Sequence, residues 1–245
     1  MEENNWLART ELLLGPEQVN ALTHKHILQV GLGGVGAYSA EMLCRAGIGE
    51  MTIVDADNVS LSNINRQLPA LHSTVGKSKV EVMAKRLLDI NPDLKLHCMQ
   101  EFIRDERTAE LLESASYDYV VDAIDSLSPK VYLIYQALQR NLKIVSVMGA
   151  GGKMDPCKVH VADISKSTHC HLAKTVRKRL YRLGVRGGFP VVYSTENVPE
   201  EAIVIDKDES INKLSTVGTI SYMPAVFGCI AASVVIRELC GMPLQ

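Results

Sequence analysis

Apolar and polar positions change period several times along the 245 residues, and each change marks an element. The N-terminal segment has a helical pattern, with Pro16 suited to the first turn of a helix running toward His24. "HILQV" is a short apolar run that ends in glycines, which predicts a buried strand entering a tight turn. "AYSAEMLCRAGI" then reads as a helix with small residues facing a sheet, and "EMTIVDAD" as a second strand ending in acids. An amphipathic helix follows in "GKSKVEVMAKRLLDINP" and stops at Pro92. The next segments alternate again: strand "LKLHCMQEFI", helix "RDERTAELLESA", strand "YDYVVDAID", helix "PKVYLIYQALQRN" and strand "KIVSVMGAGG".

Strands alternating with helices as far as Gly152 predict a parallel, doubly wound α/β sheet of Rossmann-like form. Right-handed crossovers gather the strand C-termini at one edge, so the glycines after the first strand and the acids after the second and fourth should meet in one cleft. The remainder is less regular. "KVHVADI" and "PVVYST" read as strands, with antiparallel members among the later ones, and a basic helix spans about His169 to Leu183. Residues 196–217 are polar without a period and read as one long surface loop. A last apolar helix covers about Ala225 to Leu239. The expected organisation is a single domain over 1–245. It has a helical segment at 1–26, a nucleotide-binding half at 27–152, and a substrate and dimer half at 153–245.

Composition changes this picture little. Hydrophobic residues make up 47% and charged residues 22%, with a formal net charge of -2, so overall charge points to neither nucleic acid nor membrane. The N-terminus lacks the basic and apolar regions of a signal peptide, and none of the six cysteines forms a C-x-x-C pair. The expectation is a cytoplasmic protein with free thiols, no structural zinc and no stable membrane association. Tyr222 to Ile236 carries no charge but is short for a membrane span, and it reads as a buried helix. Cys44, Cys98, Cys229 and Cys240 sit in apolar patterns that suggest core or interface, whereas Cys157 and Cys170 lie in more polar settings.

The chemistry begins at the first turn. Gly31, Gly33, Gly34 and Gly36 follow a strand and open a helix, where glycines let phosphate approach backbone N–H groups. Asp55 ends the second strand at the spacing of a ribose-binding acid. Alone these residues mean an adenine nucleotide, with a nicotinamide or flavin dinucleotide as the default. The next segment shifts the balance toward ATP. Asp57, Ser62, Asn63 and Arg66 lie just beyond the second strand, and Lys79 opens the following helix. An arginine, a lysine and an asparagine around a phosphate site suit a triphosphate whose pyrophosphate must leave. Asp125, followed by Ser126, ends the fourth strand at the same edge, where a carboxylate can hold Mg2+ on phosphate oxygens. Asp57 either binds nucleotide or metal or caps the turn, and Asp122, within the strand, reads as a structural hydrogen-bonding residue.

With "GLGGVG", "DADNVSLSNINRQ", "GKSK" and "DAIDS" in this order, the chain resembles the ubiquitin-activating-like superfamily of adenylating enzymes. The resemblance runs from about Arg9 to the C-terminus. It implies ATP and magnesium positions at Gly34, Asp55, Asn63, Arg66, Lys79 and Asp125. It also implies a homodimer in which Arg9 reaches the partner's triphosphate. Asn65 stands where many relatives carry glutamine. Members that activate sulfur-carrier proteins usually carry two C-x-x-C pairs, which this chain lacks, and there is no room for the catalytic-cysteine domain of ubiquitin-type enzymes. The stretch from Ser146 to Leu180 and "PVVYSTE" instead resemble the tRNA threonylcarbamoyladenosine dehydratases. That likeness implies ATP-dependent adenylation of the threonyl carboxylate of N6-threonylcarbamoyladenosine at position 37 of tRNA, then ring closure with loss of AMP. Two alternatives remain open: adenylation of a ubiquitin-like sulfur-carrier C-terminus, and, more distantly, a nicotinamide-dependent oxidoreductase, for which no Tyr-x-x-x-Lys relay is visible.

Lys174, Arg177, Lys178, Arg179, Arg182 and Arg186 occur with no acid between them. Lys174, Lys178 and Arg182 recur every four residues and share a helix face, a plausible contact for a tRNA backbone. His169, Cys170 and His171 are too close in sequence at a helix start to face one ion. Carbonyls of the turn from Gly149 to Pro156 are a candidate for a monovalent cation, and a sulfur-transfer protein is a candidate partner through Cys157 or Cys170.

Overall fold

The first apolar run is strand β1 (His26–Val30), and all five of its residues are buried. A run buried on both faces belongs inside a parallel sheet. The computed structural model describes residues 5–205 and 215–244. In it, β1 pairs in parallel with β2 (Glu50–Val54) on one side and β4 (Tyr119–Asp122) on the other. Beyond β2 lies β3 (Lys95–Met99), and beyond β4 come β5 (Ile144–Val147), β7 (Pro190–Ser194) and β6 (Val159–Asp163). Among the described residues, only β6 runs antiparallel within this sheet, against β7. The sheet is therefore mostly parallel and doubly wound, with an antiparallel member at its later edge.

Alternation along β1 explains the two layers. Ile27 joins the core shared with helices α3 (Gly36–Arg45), α4 (Lys79–Ile90) and α8 (Tyr222–Leu239). Leu28 and Val30 join the core beneath α5 (Asp105–Glu113), α6 (Leu127–Gln139) and α7 (His171–Arg182). The chain turns one way from β1 to β2 and β3, then crosses to the other side for β4. The carboxyl ends of β1 and β4 therefore flank a topological switch point, where ligands of such sheets bind.

The N-terminal segment forms α1 (Ala8–Leu14) and α2 (Pro16–Leu22), with Pro16 at the first position of α2 as its fixed φ favours. Helix α8 is long and apolar enough for a membrane by length and composition. Met223, Phe227, Ala231, Ala232, Val234 and Val235 are nonetheless buried in the core, as expected for a buried helix.

Two expectations need correction. Residues 196–217 are not one irregular loop: Ile203–Ile205 (β8) and Ser215–Val217 (β9) pair as an antiparallel ribbon. Three-residue strands are too short to display a period, and residues 206–214 lie outside the described residues. Of the cysteines expected in core or interface, Cys44 is buried, but Cys98 and Cys229 are exposed and so are not core residues; Cys170 is buried. β3 is an edge strand with one poorly covered face, so an apolar pattern there does not mean burial.

Candidate active site

Glycine is required at both ends of the first turn. Gly31 has φ +92°, and a Cβ there would stand 2.8 Å from the Ala123 carbonyl oxygen. A Cβ on Gly36 would stand 1.8 Å from the Gly31 carbonyl oxygen. The turn is thus pressed between the start of α3 and the end of β4. Asp55 fastens it from β2. Its Oδ2 accepts from the Leu32 N–H at 2.6 Å and its Oδ1 from the Asp57 N–H at 2.8 Å. Burial pushes the Asp55 carboxyl above its ordinary pKa, and Lys79 with these two N–H donors offsets part of that rise.

Lys79 opens α4 with its side chain 5% exposed. Its Nζ lies 2.8 Å from Asp57 Oδ2 and 4.0 Å from Asp55 Oδ1. A nearly buried cation needs a counter-charge. Asp57 supplies one from a side chain that is 69% exposed, so it can yield to an incoming phosphate without leaving a buried hole.

The segment after Asp57 folds back on the glycines. Ser60 N–H donates to Asn63 Oδ1 at 3.1 Å, and Ser60 and Ser62 hydroxyls meet at 3.0 Å, which closes a one-turn 3-10 helix over Leu61–Asn63. Arg66 Nη1 donates to the Ser62 carbonyl at 2.9 Å and to Asn65 Oδ1 at 2.7 Å. A Cβ on Gly34 would meet the Arg66 backbone and Cγ, so this arginine lies against the turn. Gln67 lies beside Gly33, and its buried Oε1 has no protein partner among the described residues. A glycine cradle, two flanking cations and an orphaned acceptor fit a nucleotide triphosphate.

Asp125 stands beyond β4, exposed, with Ser126 Oγ donating to its Oδ1 at 3.4 Å. Its position is set by Asp122, as a structural acid should do. Asp122 and Lys130 are both 0% exposed and pair at 2.7 Å. Asp122 also accepts from Ser146 Oγ at 2.5 Å and from Ile124 N–H at 3.0 Å, and Lys130 donates to the Val147 carbonyl at 3.0 Å. This network ties β4, β5 and α6 together directly behind Asp125. An exposed carboxylate at this edge has the oxygen donors that Mg2+ prefers.

The opposite wall comes from the second half of the chain. Gly152 N–H donates to Gly218 O, and Gly218 N–H to Ala202 O, so the ribbon is rooted on the Gly149–Gly152 turn. Asn65 Nδ2 donates to Thr219 O at 2.9 Å and Tyr222 OH to Met154 O at 2.8 Å, which links that root to the Arg66 segment. Lys153 is buried and donates to the Glu196 carbonyl, while the Glu196 carboxylate accepts from the N–H groups of Met154 and Asp155. Burial pushes Lys153 below its ordinary pKa, with Cys170 and Glu196 opposing the shift.

Not every expected residue meets there. Arg9 is exposed on α1, whose neighbouring Leu7 packs on Gly47 before β2. That is the far end of the parallel strands from Asp55. Lys174, Lys178, Arg179, Arg182 and Arg186 are exposed along and after α7. Arg177 instead turns inward and donates to the Ile164 and Ser167 carbonyls and to Ser167 Oγ. Arg179 Nη1 reaches Ser128 Oγ at 2.8 Å, three residues beyond Asp125, so the basic helix borders the cleft. A cavity of about 530 Å3 lies along α7, lined by Lys174, Arg177, Lys178, Arg182 and Arg186. His169 and His171 are exposed while Cys170 is buried and caps α7, so the three do not converge.

Sequence reading missed Lys130, Lys153, Glu196 and Gln67. Lys130 left a signal, since it shares the apolar stripe of α6 with Ile134 and Ala137. A charge on such a stripe announces a buried partner. The other three depend on contacts between distant segments.

Residues 7–245 match the ThiF family model. The tRNA threonylcarbamoyladenosine dehydratase of Bacillus subtilis is 40% identical over 201 residues, covering 82% of this chain and 77% of the relative. The crystal structure of the Escherichia coli tRNA N6-threonylcarbamoyladenosine dehydratase in complex with ATP superposes with a TM-score of 0.87 at 34% identity, covering 96% of this chain and 93% of that one. The molybdopterin-synthase adenylyltransferase of Escherichia coli is 35% identical, but over 55% of this chain and 53% of its own length.

Proposed function

The chain belongs to the ThiF family, and on that premise we propose that it is an ATP-dependent dehydratase that closes threonylcarbamoyladenosine at position 37 of tRNA to its cyclic form. The observation that carries the reading is the convergence of the glycine turn, Asp55, Lys79, Arg66 and Asp125 on one crevice, in a chain that matches such dehydratases along most of its length.

In the first step a threonyl carboxylate oxygen attacks the α-phosphorus of ATP, and the bond to the β-phosphate oxygen breaks. N–H groups of the Gly31–Gly36 turn and the N-terminus of α3 face the phosphates. Lys79 and Arg66 offset the charge that grows on the departing pyrophosphate, with Asp57 released from Lys79 to make way. Asp55 remains to accept hydrogen bonds from ribose hydroxyls. Mg2+, when bound, would neutralise phosphate charge, and Asp125 is the residue that would hold it. In the second step a nucleophile within the modified base attacks the activated carbonyl carbon and AMP leaves with the former carboxylate oxygen. The nucleoside loses one water overall, and no enzyme thioester is needed. A monovalent cation at the carbonyls of the Gly149–Pro156 turn is a lesser part of the reading, and no step depends on it.

The enzyme acts as a homodimer in the cytoplasm, where its tRNA substrate resides. Arg9 sits toward the opposite end of the strands from its own crevice, which supports its acting on the triphosphate of a second copy. Exposed Trp6, Leu12 and Leu13 on and beside α1 supply an apolar surface for that contact. The exposed cations of α7 hold the tRNA backbone beside the crevice.

Release of AMP and pyrophosphate from ATP tests the reading. It should require tRNA carrying the threonylcarbamoyl group and be absent with a sulfur-carrier protein. Release driven by the carrier and indifferent to the tRNA would overturn it, and the partial match to the molybdopterin-synthase adenylyltransferase makes the carrier the proper control.

A further inference from the structure

We propose that His26, Glu50 and His97 form a binding site for a divalent transition metal of the zinc type, separate from the nucleotide crevice. The strand register brings them together. His26 opposes Glu50 directly across β1 and β2, and His97 on β3 opposes Thr52, two residues along from Glu50 on the same face. Thr52 and Glu50 point to one side because strand side chains alternate. Glu50 Oε1 lies 2.9 Å from His97 Nε2 and 3.5 Å from His26 Nδ1, and the three residues offer donor atoms all within 4.8 Å of one another. A tetrahedral ion with bonds of about 2.1 Å holds its ligand atoms roughly 3.4 Å apart. Small side-chain movements therefore suffice to seat one.

The donors also suit this metal class. Two imidazoles and one carboxylate are the nitrogen and oxygen ligands of Zn2+, whereas Mg2+ and Ca2+ prefer oxygen alone. The surroundings aim the ligands. His26 Nε2 meets Thr52 Oγ1 at 2.9 Å, so a proton on Nε2 leaves the Nδ1 lone pair toward Glu50. The Tyr117 ring packs on the His26 ring at 4.7 Å and limits its rotation. His26 is buried while the His97 side chain is 55% exposed, which anchors one side of the site and opens the other to an entering ion and a fourth, solvent ligand. The site would clamp β1, β2 and β3 at the end of the sheet remote from Asp55 and Asp125.

Zn2+ titration of the full chain against a competing chromophoric chelator tests this, on wild type, His97→Ala and Glu50→Gln, with Co2+ absorption as a second readout. His97 is exposed on an edge strand, so its loss does not threaten folding. Wild type should bind about one ion per chain with micromolar or tighter affinity, and each variant should weaken binding by roughly tenfold or more, since loss of even an outer-shell partner costs about that much. Cys98→Ser should leave binding unchanged, because Cys98 points to the opposite face from His97. No uptake by wild type at about 100 µM Zn2+, or failure of either variant to weaken it, would overturn the site. Uptake lost only with Cys98→Ser would assign the ion to the thiol and overturn it equally.

Discussion

Lys79 sits nearly buried between Asp55 and Asp57, so its charge is already oriented before any nucleotide arrives. Replacing it by methionine keeps the volume and removes the charge. The expected result is a fall of about 10²–10³ in kcat with modest change in stability, as when one preorganised donor to a developing charge is lost. A drop of less than threefold would remove Lys79 from the reaction. Gly36→Ala tests the turn itself. Its Cβ cannot stand 1.8 Å from the Gly31 oxygen, so the variant should lose several kcal/mol, about 3 or more, in urea unfolding. The glycines, Asp55 and Lys79 could be read from sequence because each occupies a fixed place at a strand end or helix start. Gln67, Lys153 and Glu196 could not, because nothing local distinguishes a polar side chain that finds its partner some forty residues away, as Lys153 and Glu196 do, from one that meets solvent.

Elements are held in place by charges between them. Asp122 and Lys130 link β4 to α6 with both side chains fully buried. Lys130→Met should cost about 3–5 kcal/mol, since it strands a carboxylate in the core, and adding Asp122→Asn should recover much of that loss. Additive losses in the double variant would contradict the coupling. Glu41 links α3 to α4, the helix that carries Lys79, through Arg86, and it also pairs with Arg45 one turn along α3. Burial pushes its carboxyl up, but the two arginines together outweigh burial and hold it below the usual range. A depressed folded pKa contributes stability above the unfolded value and loses it as pH falls. The gap in urea midpoint between wild type and Glu41→Gln should therefore shrink as pH drops from about 5 toward 3. A constant gap would contradict it. Helices were readable because their period persists over whole elements, and the central parallel strands because they are short, largely apolar runs buried on both faces. The β8–β9 ribbon was not, because three residues show no period and its two strands are far apart in the segment read as loop.

At the scale of the molecule, two long-range features complete the account. Double reversal of Lys178 and Arg182 to glutamate should weaken tRNA binding and flatten its salt dependence, while ATP affinity stays within about twofold. Unchanged tRNA binding would make α7 an ordinary solvated helix. Arg177 is excluded from that pair because its guanidinium is spent on the Ile164 and Ser167 carbonyls. The doubly wound sheet places Arg9 away from its own crevice, so mixing inactive Arg9→Ala and Asp125→Asn chains should restore activity in hybrid dimers. Absence of any recovery at a confirmed hybrid population would contradict the action of Arg9 across the dimer. The measurement closest to the centre of the account is mass spectrometry of the nucleoside. Wild-type protein is incubated with ATP, Mg2+ and tRNA bearing threonylcarbamoyladenosine, beside Asp125→Asn. The expected outcome is loss of one water from that nucleoside with wild type and no loss with the variant. An unchanged nucleoside in the presence of wild-type protein that still cleaves ATP on another carboxylate would contradict it.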